Sequence, residues 1–424
     1  WPVANRAIEL YLQKKSENEG WERQINGLSN NEKANLLLEK HTFKELLADE
    51  EQRNLQNNIV GLEASRLFAR SEINMGVDAF RDSLYAMLKR NTFLNIKFEN
   101  MLDTLGEMSR TDLYSYLKEW EQLTPLPFYS IGEPELTKVV NKGGEEFFVL
   151  KVLVSNNSDY DGIIQMNVLQ NGWWYQPMED PRARKKVEIA AHTSKEFVSV
   201  WEEQIRDVEI NTMVSGNLPY MIRQSIGNVK QERNKIVKDT IYTLPESSLE
   251  MPGEVIVDNE DSTLFVLSTP AVVGLLPKWL DKVEDTSFKY SGISWWRAPL
   301  QWTATTNAKY YGKYIRSAYV IKSGDGSQTA TWKIPVPEAG QYELYYHVFK
   351  DDELRWNDRL QGEYHFRVAY DSEMEDAYIN LRKANEGWEQ LGTYYFSADT
   401  VRVVLTDECK LRSVTADAVK IVKR

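Results

Sequence analysis

Residues 385–423 read NEGWEQLGTYYFSADTVRVVLTDECKLRSVTADAVKIVK. Three short runs within them, 394–396, 401–405 and 416–421, are apolar or alternating and are bounded by turn residues. That pattern predicts three strands. Gly387-Trp388 and Leu391-Gly392 punctuate the approach to the first. The stretch holds strands and turns and no recognisable catalytic motif.

Trp388, Leu391, Gly392, Tyr394 and Phe396 are followed by Val403 and Leu405, then by Ala416, Asp417, Ala418 and Val419. This order resembles the closing signature of the golvesin/xanthan-lyase C-terminal domain. The opening EVIVDNED at 254–261 and the run TWKIPVPEAGQYELYYHV at 331–348 are similar to other parts of the same family pattern. The resemblance implies a β-sandwich (jelly-roll) module over 254–424, of a type placed at the ends of secreted bacterial proteins. It also implies a role in folding and attachment, with Trp332 and Trp388 as core framework positions. Asp417 is expected to hydrogen-bond a neighbouring loop. The stretch 263–319 is longer than the family pattern; 275–283 reads as a short helix or loop.

The chain of 424 residues is long enough for two or three domains. Its net charge of −12 argues against a nucleic-acid partner, whose phosphates demand a basic surface. The one basic cluster, Arg182, Arg184, Lys185 and Lys186, reads as a solvated turn in a loop, in preference to a binding patch. The longest strongly apolar run, 271–276, is far too short to cross a bilayer, so no transmembrane segment is expected in this chain. The single cysteine, Cys409, supports neither a disulfide framework nor a cysteine metal site. A chain opening on Trp1 without a signal peptide reads as a piece of a longer polypeptide or as a mature product.

Residues 1–127 are read as helical. The segments 7–15, 32–48 and 58–70 are rich in good helix formers. Phe80, Leu84, Met87 and Leu88, then Phe98, Met101, Leu102 and Leu105, recur at helical spacing. A further helix is expected after Thr111 as N-cap, with Leu113, Tyr116, Leu117 and Trp120 inward. Ile73, Gly76, Ala79, Phe80, Arg81, Leu84, Leu88 and Arg90 give this region a second resemblance. It continues through Phe98, Met101, Leu102 and Leu105 to Asp112, Leu113, Leu117 and Trp120. Residues 50–127 thus look like the helical segment that follows the catalytic core of gluzincin aminopeptidases. The phrase NTMVSGNLP at 211–219 is reminiscent of membrane-tethered, aminopeptidase-like Bacteroidetes proteins, some fused to a transporter permease.

Pro125 and Pro127 close the helical part. The runs 147–154, 163–169, 187–191, 196–200 and 208–212 are short strands separated by turn signals, which argues a β-sandwich over 134–245. The polar stretch 224–238 has weak helical character and reads as a connection or linker. The fold class expected is therefore multidomain α+β. An N-terminal helical domain (1–127) precedes two antiparallel β-sandwiches (134–245 and 254–424).

The sequence carries no recognisable catalytic motif. A gluzincin holds zinc with H-E-x-x-H on a helix. His41, His192, His347 and His365 neither begin that motif nor pair one helical turn apart. No catalytic residue, metal ligand set or cofactor is assigned. Asp258, Glu260, Asp261, Asp351, Asp352 and Glu353 form acidic runs whose oxygens suit calcium; a solvated loop is the simpler reading. Trp295, Trp296, Trp302, Tyr310 and Tyr311 are the ligand-binding candidates, because sugar C–H edges stack on aromatic faces. Packing into a core is the competing reading for them.

The function expected is non-catalytic: an extracytoplasmic C-terminal region of a larger bacterial protein, acting in scaffolding, recognition or attachment at the cell surface. The expected partners are a glycan or a cell-surface protein, and the rest of a parent membrane protein. The alternative is the accessory half of a zinc aminopeptidase whose catalytic part lies upstream.

Overall fold

The structure is a computed structural model. It describes residues 2–12, 19–92, 94, 97–123, 125–169, 180–233, 237–247, 249, 253–268, 288–293, 297–350, 362–371 and 373–424. Trp295, Trp296, the stretch 275–283, Asp351, Asp352 and Glu353 lie outside the described residues. The chain divides into two compact units, 1–17 with 30–249 and 18–29 with 250–424.

The helices are α1 (Pro2–Leu12), α2 (Glu19–Asn26), α3 (Asn30–Leu38), α4 (Phe43–Ala48), α5 (Gln56–Met75), α6 (Val77–Arg90), α7 (Phe98–Ser109) and α8 (Leu113–Glu119). All but α2 belong to the first unit. The periodic stripes face inward as expected: Phe80, Leu84 and Met87, then Phe98, Met101, Leu102 and Leu105, are buried. Two helix expectations change. The stretch 32–48 is two helices, because Thr42 and Glu45 form a reciprocal capping box that starts α4 afresh. The N-cap of α8 is Asp112, not Thr111; its carboxylate accepts from the Ser115 N–H at 3.1 Å.

The first unit's strands are β1 (Tyr129–Ile131), β2 (Glu135–Val140), β3 (Glu146–Asn156), β4 (Gly162–Leu169), β5 (Arg184–Ile189), β6 (Thr193–Trp201), β7 (Asp207–Asn211), β8 (Met221–Ser225), β9 (Val229–Arg233) and β10 (Thr240–Pro245). One sheet runs β10-β6-β3-β2-β9, with β1 also paired to β3; the other runs β5-β4-β7-β8. Leu150, Val152 and Phe197 of the first sheet share a core with Ile164, Met166 and Val208 of the second.

Two segments differ from their sequence expectation. The polar stretch 224–238 contributes strands. β8 pairs with β7 and β9 pairs in parallel with β2, so tertiary pairing overrides weak local propensity. The basic cluster is not a solvated turn, since β5 begins at Arg184. The Lys186 ammonium is nearly buried against the Glu72 carboxylate of α5, which also accepts from Tyr11 Oη at 2.6 Å.

The second unit's strands are β11 (Glu254–Val257), β12 (Phe265–Leu267), β13 (Thr303–Thr306), β14 (Ser317–Lys322), β15 (Thr329–Pro335), β16 (Gly340–Val348), β17 (Glu363–Tyr370), β18 (Glu373–Asn380), β19 (Gly387–Phe396), β20 (Thr400–Thr406), β21 (Ser413–Ala416) and β22 (Val419–Lys423). Three sheets run β11-β22-β16-β19, β12-β15-β20-β17-β18 and β13-β14-β21. Trp332 and Phe366 from the five-stranded sheet meet Tyr346 from the four-stranded one, with ring centroids 6.1 and 5.0 Å away, in a shared core.

The expected strand 416–421 is two strands in different sheets. Asp417 and Ala418 sit at the break, where the Asp417 side chain is taken up by hydrogen bonds instead of the pleat. Residues 18–29, inside the helical stretch of the sequence, fold with this unit. Thr306 Oγ1 donates to the Gly27 carbonyl at 2.8 Å, and a Cβ on Gly27 would lie 2.4 Å from the Ser291 carbonyl carbon. The chain is thus α+β, with helices mostly N-terminal and sheets that are antiparallel except for the β2–β9 pair. No helix among the described residues is long and apolar enough to cross a membrane.

Candidate functional site

Side chains alternate across a strand, so β16 sends Tyr342, Leu344, Tyr346 and Val348 into the core and leaves Glu343, Tyr345 and His347 facing outward. Register sets their neighbours: Trp388 on β19 lies opposite His347, and Lys420 on β22 lies opposite Tyr345. Tyr311, from the loop after β13, completes the group. The centroid separations are 5.0 Å for Tyr311–Trp388, 5.8 Å for Tyr311–His347 and 5.1 Å for His347–Trp388. The rings are tilted or edge-on to one another, the arrangement that ring quadrupoles favour.

Lys420 threads between two of these aromatics. Its ammonium is 4.8 Å from the Trp388 ring centroid and 5.4 Å from that of Tyr345, and it is 2.8 Å from Glu254 Oε1. Both side chains of that ion pair are only 12% exposed. The cation is therefore fixed in place, and its aliphatic stem covers part of the sheet.

Below the aromatics lies Asp417, fully buried. Its carboxylate accepts from the Tyr311 N–H at 3.1 Å and lies 2.8 Å from His347 Nδ1. Its carbonyl accepts from Trp332 Nε1 at 3.3 Å. Burial pushes the Asp417 carboxyl above the usual carboxylate range, and the His347 charge pulls it partly back. Burial, and then the charge of Asp417, push Asp258 up as well. One aspartate thus anchors the loop carrying Tyr311 to the strand carrying His347.

The sequence candidates part company here. Tyr311 stands in the group just described. Tyr310 is turned inward, 5% exposed, with its ring 4.7 Å from Phe349 in an edge contact. Trp302 is half-buried against the sandwich core, and its indole N–H is buried without a partner among the described residues. Trp332 is fully buried, as expected of a framework position, but Trp388 is not. Opposite His347 it lies on the outward face of the sheet, half-exposed. Trp388, His347 and Lys420 were missed as site residues; outward parity on β16 was the available signal for His347. Cys409 is half-buried, and burial pushes its thiol up, which disfavours a nucleophilic thiolate. Among the described residues no three His, Cys, Asp or Glu side chains are grouped to hold a metal ion.

Residues 296–423 match the family Golvesin C-terminal domain. The match does not reach the opening stretch at 254–261, although β11 pairs with β22 in the same sheet, and it gives no support to the aminopeptidase resemblance of 50–127. No curated protein matches the chain. Among solved structures, the chain is similar to a Paenibacillus xanthan lyase at 17% identity and a TM-score of 0.29, over 71% of this chain and 27% of that one. It is also similar to CBM35 from Cellvibrio japonicus Abf62, at 13% identity and a TM-score of 0.19, over 27% of this chain and 75% of that one. A Bacteroides uniformis β-glucuronidase is similar at 11% identity and a TM-score of 0.20, over 74% of this chain and 32% of that one. The chain therefore spans about a quarter of the xanthan lyase it resembles, and at these scores none of the three structures informs function.

Proposed function

We propose that this chain is a non-catalytic, extracytoplasmic recognition or attachment region, and that its C-terminal sandwich binds a glycan at Tyr311 and Trp388. The observation that carries the reading is the grouping of Tyr311, Trp388, His347 and Tyr345 around a fixed Lys420 on one outward sheet face. Aromatic faces offer the sugar's C–H edges a stacking surface. The Lys420 ammonium and His347 imidazole supply polar contacts for hydroxyls. The match to the golvesin-type domain over 296–423 supports an attachment role outside the cytoplasm.

The test is a glycan array on the full chain, followed by calorimetry on any hit. Trp388→Ala and Tyr311→Ala should each weaken binding by about 1–3 kcal/mol, by analogy with base stacking on aromatics. The fold should persist in both, since neither ring is fully buried. A broad array without hits, or a hit indifferent to both changes, refutes the proposal.

A further inference from the structure

The opposite sheet of the same sandwich carries a different surface. On its outward face Lys333 of β15 lies directly across from Arg402 of β20, and Arg402 lies across from Ala369 of β17. Arg367 of β17 faces Val404, two residues along from Arg402. Directly paired positions are about 5 Å apart, and diagonal ones about 7–8 Å. Three cations on three adjacent strands therefore share one patch. Around them the same face carries Thr331, Val404 and Ala369, the exposed Val266 and Met374, and one carboxylate, Asp376, directly across from Arg367.

The cations of the unit divide: Lys322, Lys383 and Lys410, scattered singly, have no side-chain ion pair among the described residues, whereas others are neutralised within the unit. Lys289, Lys309, Lys420, Lys423 and Arg424 each sit on a carboxylate. Lys333, Arg402 and Arg367 have no side-chain ion pair or hydrogen bond among the described residues. Asp376, across from Arg367, is instead held 2.7 Å from His365 Nε2. In a chain of net charge −12, acidic side chains are abundant enough to have paired these three. Lys333 and Arg402 are directly paired like charges and repel, a cost that an external anion would relieve.

We propose that this face binds an acidic polysaccharide through its carboxylates. The guanidinium forks of Arg367 and Arg402 match a carboxylate in bidentate fashion, and Lys333 adds a point charge. Neighbouring strands are about 4.8 Å apart, so the directly paired Lys333 and Arg402 can share one uronate carboxylate, while Arg367, two residues along, can meet another. A nucleic acid fits poorly, because its long run of phosphates would meet the acidic remainder of the chain. The site is separate from the aromatic face, and either can fail without the other.

Binding of the full chain to polygalacturonate, to its methyl ester and to phosphatidylglycerol/phosphatidylcholine vesicles tests this. Polygalacturonate should bind, the uncharged ester should not, and added salt should weaken the complex. Arg402→Gln with Lys333→Gln should weaken binding by about tenfold or more, Arg402→Lys should retain part of it, and Lys322→Gln, on another sheet, should leave it unchanged. Equal binding of acid and ester, capture by the vesicles alone, or a double variant that binds as the parent does would each overturn the assignment.

Discussion

The buried carboxylate of Asp417 accepts a hydrogen bond from the backbone N–H of Tyr311, 106 residues earlier in the chain, at 3.1 Å. The same carboxylate lies 2.8 Å from His347 Nδ1. Asp417 thus joins a loop to a strand end at the break between β21 and β22, and the aromatic face depends on that join.

Replacing Asp417 tests the join. Asp417→Ala leaves the half-buried His347 imidazole and the Tyr311 N–H without their acceptor, and should cost about 3–5 kcal/mol, as for a pair that loses its buried member. Asp417→Asn retains an acceptor for Tyr311 and should cost about 1–3 kcal/mol. Urea denaturation, followed by hydrogen exchange at β16 and β22, would measure both. Equal costs would mean that the charge facing His347 carries the whole contribution and the hydrogen bond from Tyr311 none.

In the first unit the buried pair of Glu72 and Lys186 carries a second expectation. Glu72→Ala should destabilise by about 3–5 kcal/mol because it strands the Lys186 ammonium and removes the acceptor of Tyr11 Oη. Glu72→Met combined with Lys186→Met should recover most of that loss. A double-mutant cycle reads the coupling, and additive costs would contradict it.

His192 provides a pH dependence with a definite sign. Its Nε2 lies 2.7 Å from Asp159 and its Nδ1 lies 2.8 Å from Glu246, and these hydrogen bonds, Asp159 first, raise it above the ordinary 6.5. A raised folded-state value means that the contribution is fully present below 6.5 and fades as pH rises through the folded value. The difference in melting temperature between the parent and His192→Gln should therefore be largest in mild acid and vanish in mild alkali. A difference that grows with pH would show the sign to be wrong.

The parts of the fold that follow from local pattern were legible in the sequence. Phe98, Met101, Leu102 and Leu105 line a buried stripe because spacing alone fixes a helix face, and β16 follows from strict alternation over 341–348. The site was legible only in part, because its members come from 311, 347, 388, 417 and 420 and meet through strand register. Tyr310 and Tyr311 are identical neighbours in sequence, yet one packs on Phe349 and the other on Trp388. Lys186 has the composition of a surface residue; only the helix packed above it makes it internal. Register and helix–sheet packing are properties of the assembled chain, so no window of sequence displays them.

Residues 18–29 bring a last expectation. Gly292 packs so closely on α2 that an added Cβ would lie 2.0 Å from the Ile25 carbonyl oxygen and 2.7 Å from the Asn26 nitrogen. Both obstacles are backbone and cannot rotate aside. Gly292→Ala should therefore force segment 25–27 and the strand entry at 291–292 apart, at a cost of about 1–3 kcal/mol, the usual range for overpacking. Loss of the Thr306-to-Gly27 hydrogen bond should follow, seen as faster amide exchange in 25–29 and at the start of β13. Gly253→Ala, with open space around its Cβ position but a φ of +87°, is the control: it should strain its own turn and leave exchange in 25–29 unchanged. If Gly292→Ala matched the parent in both stability and exchange, the close approach of the 18–29 arm to this unit would be disproved.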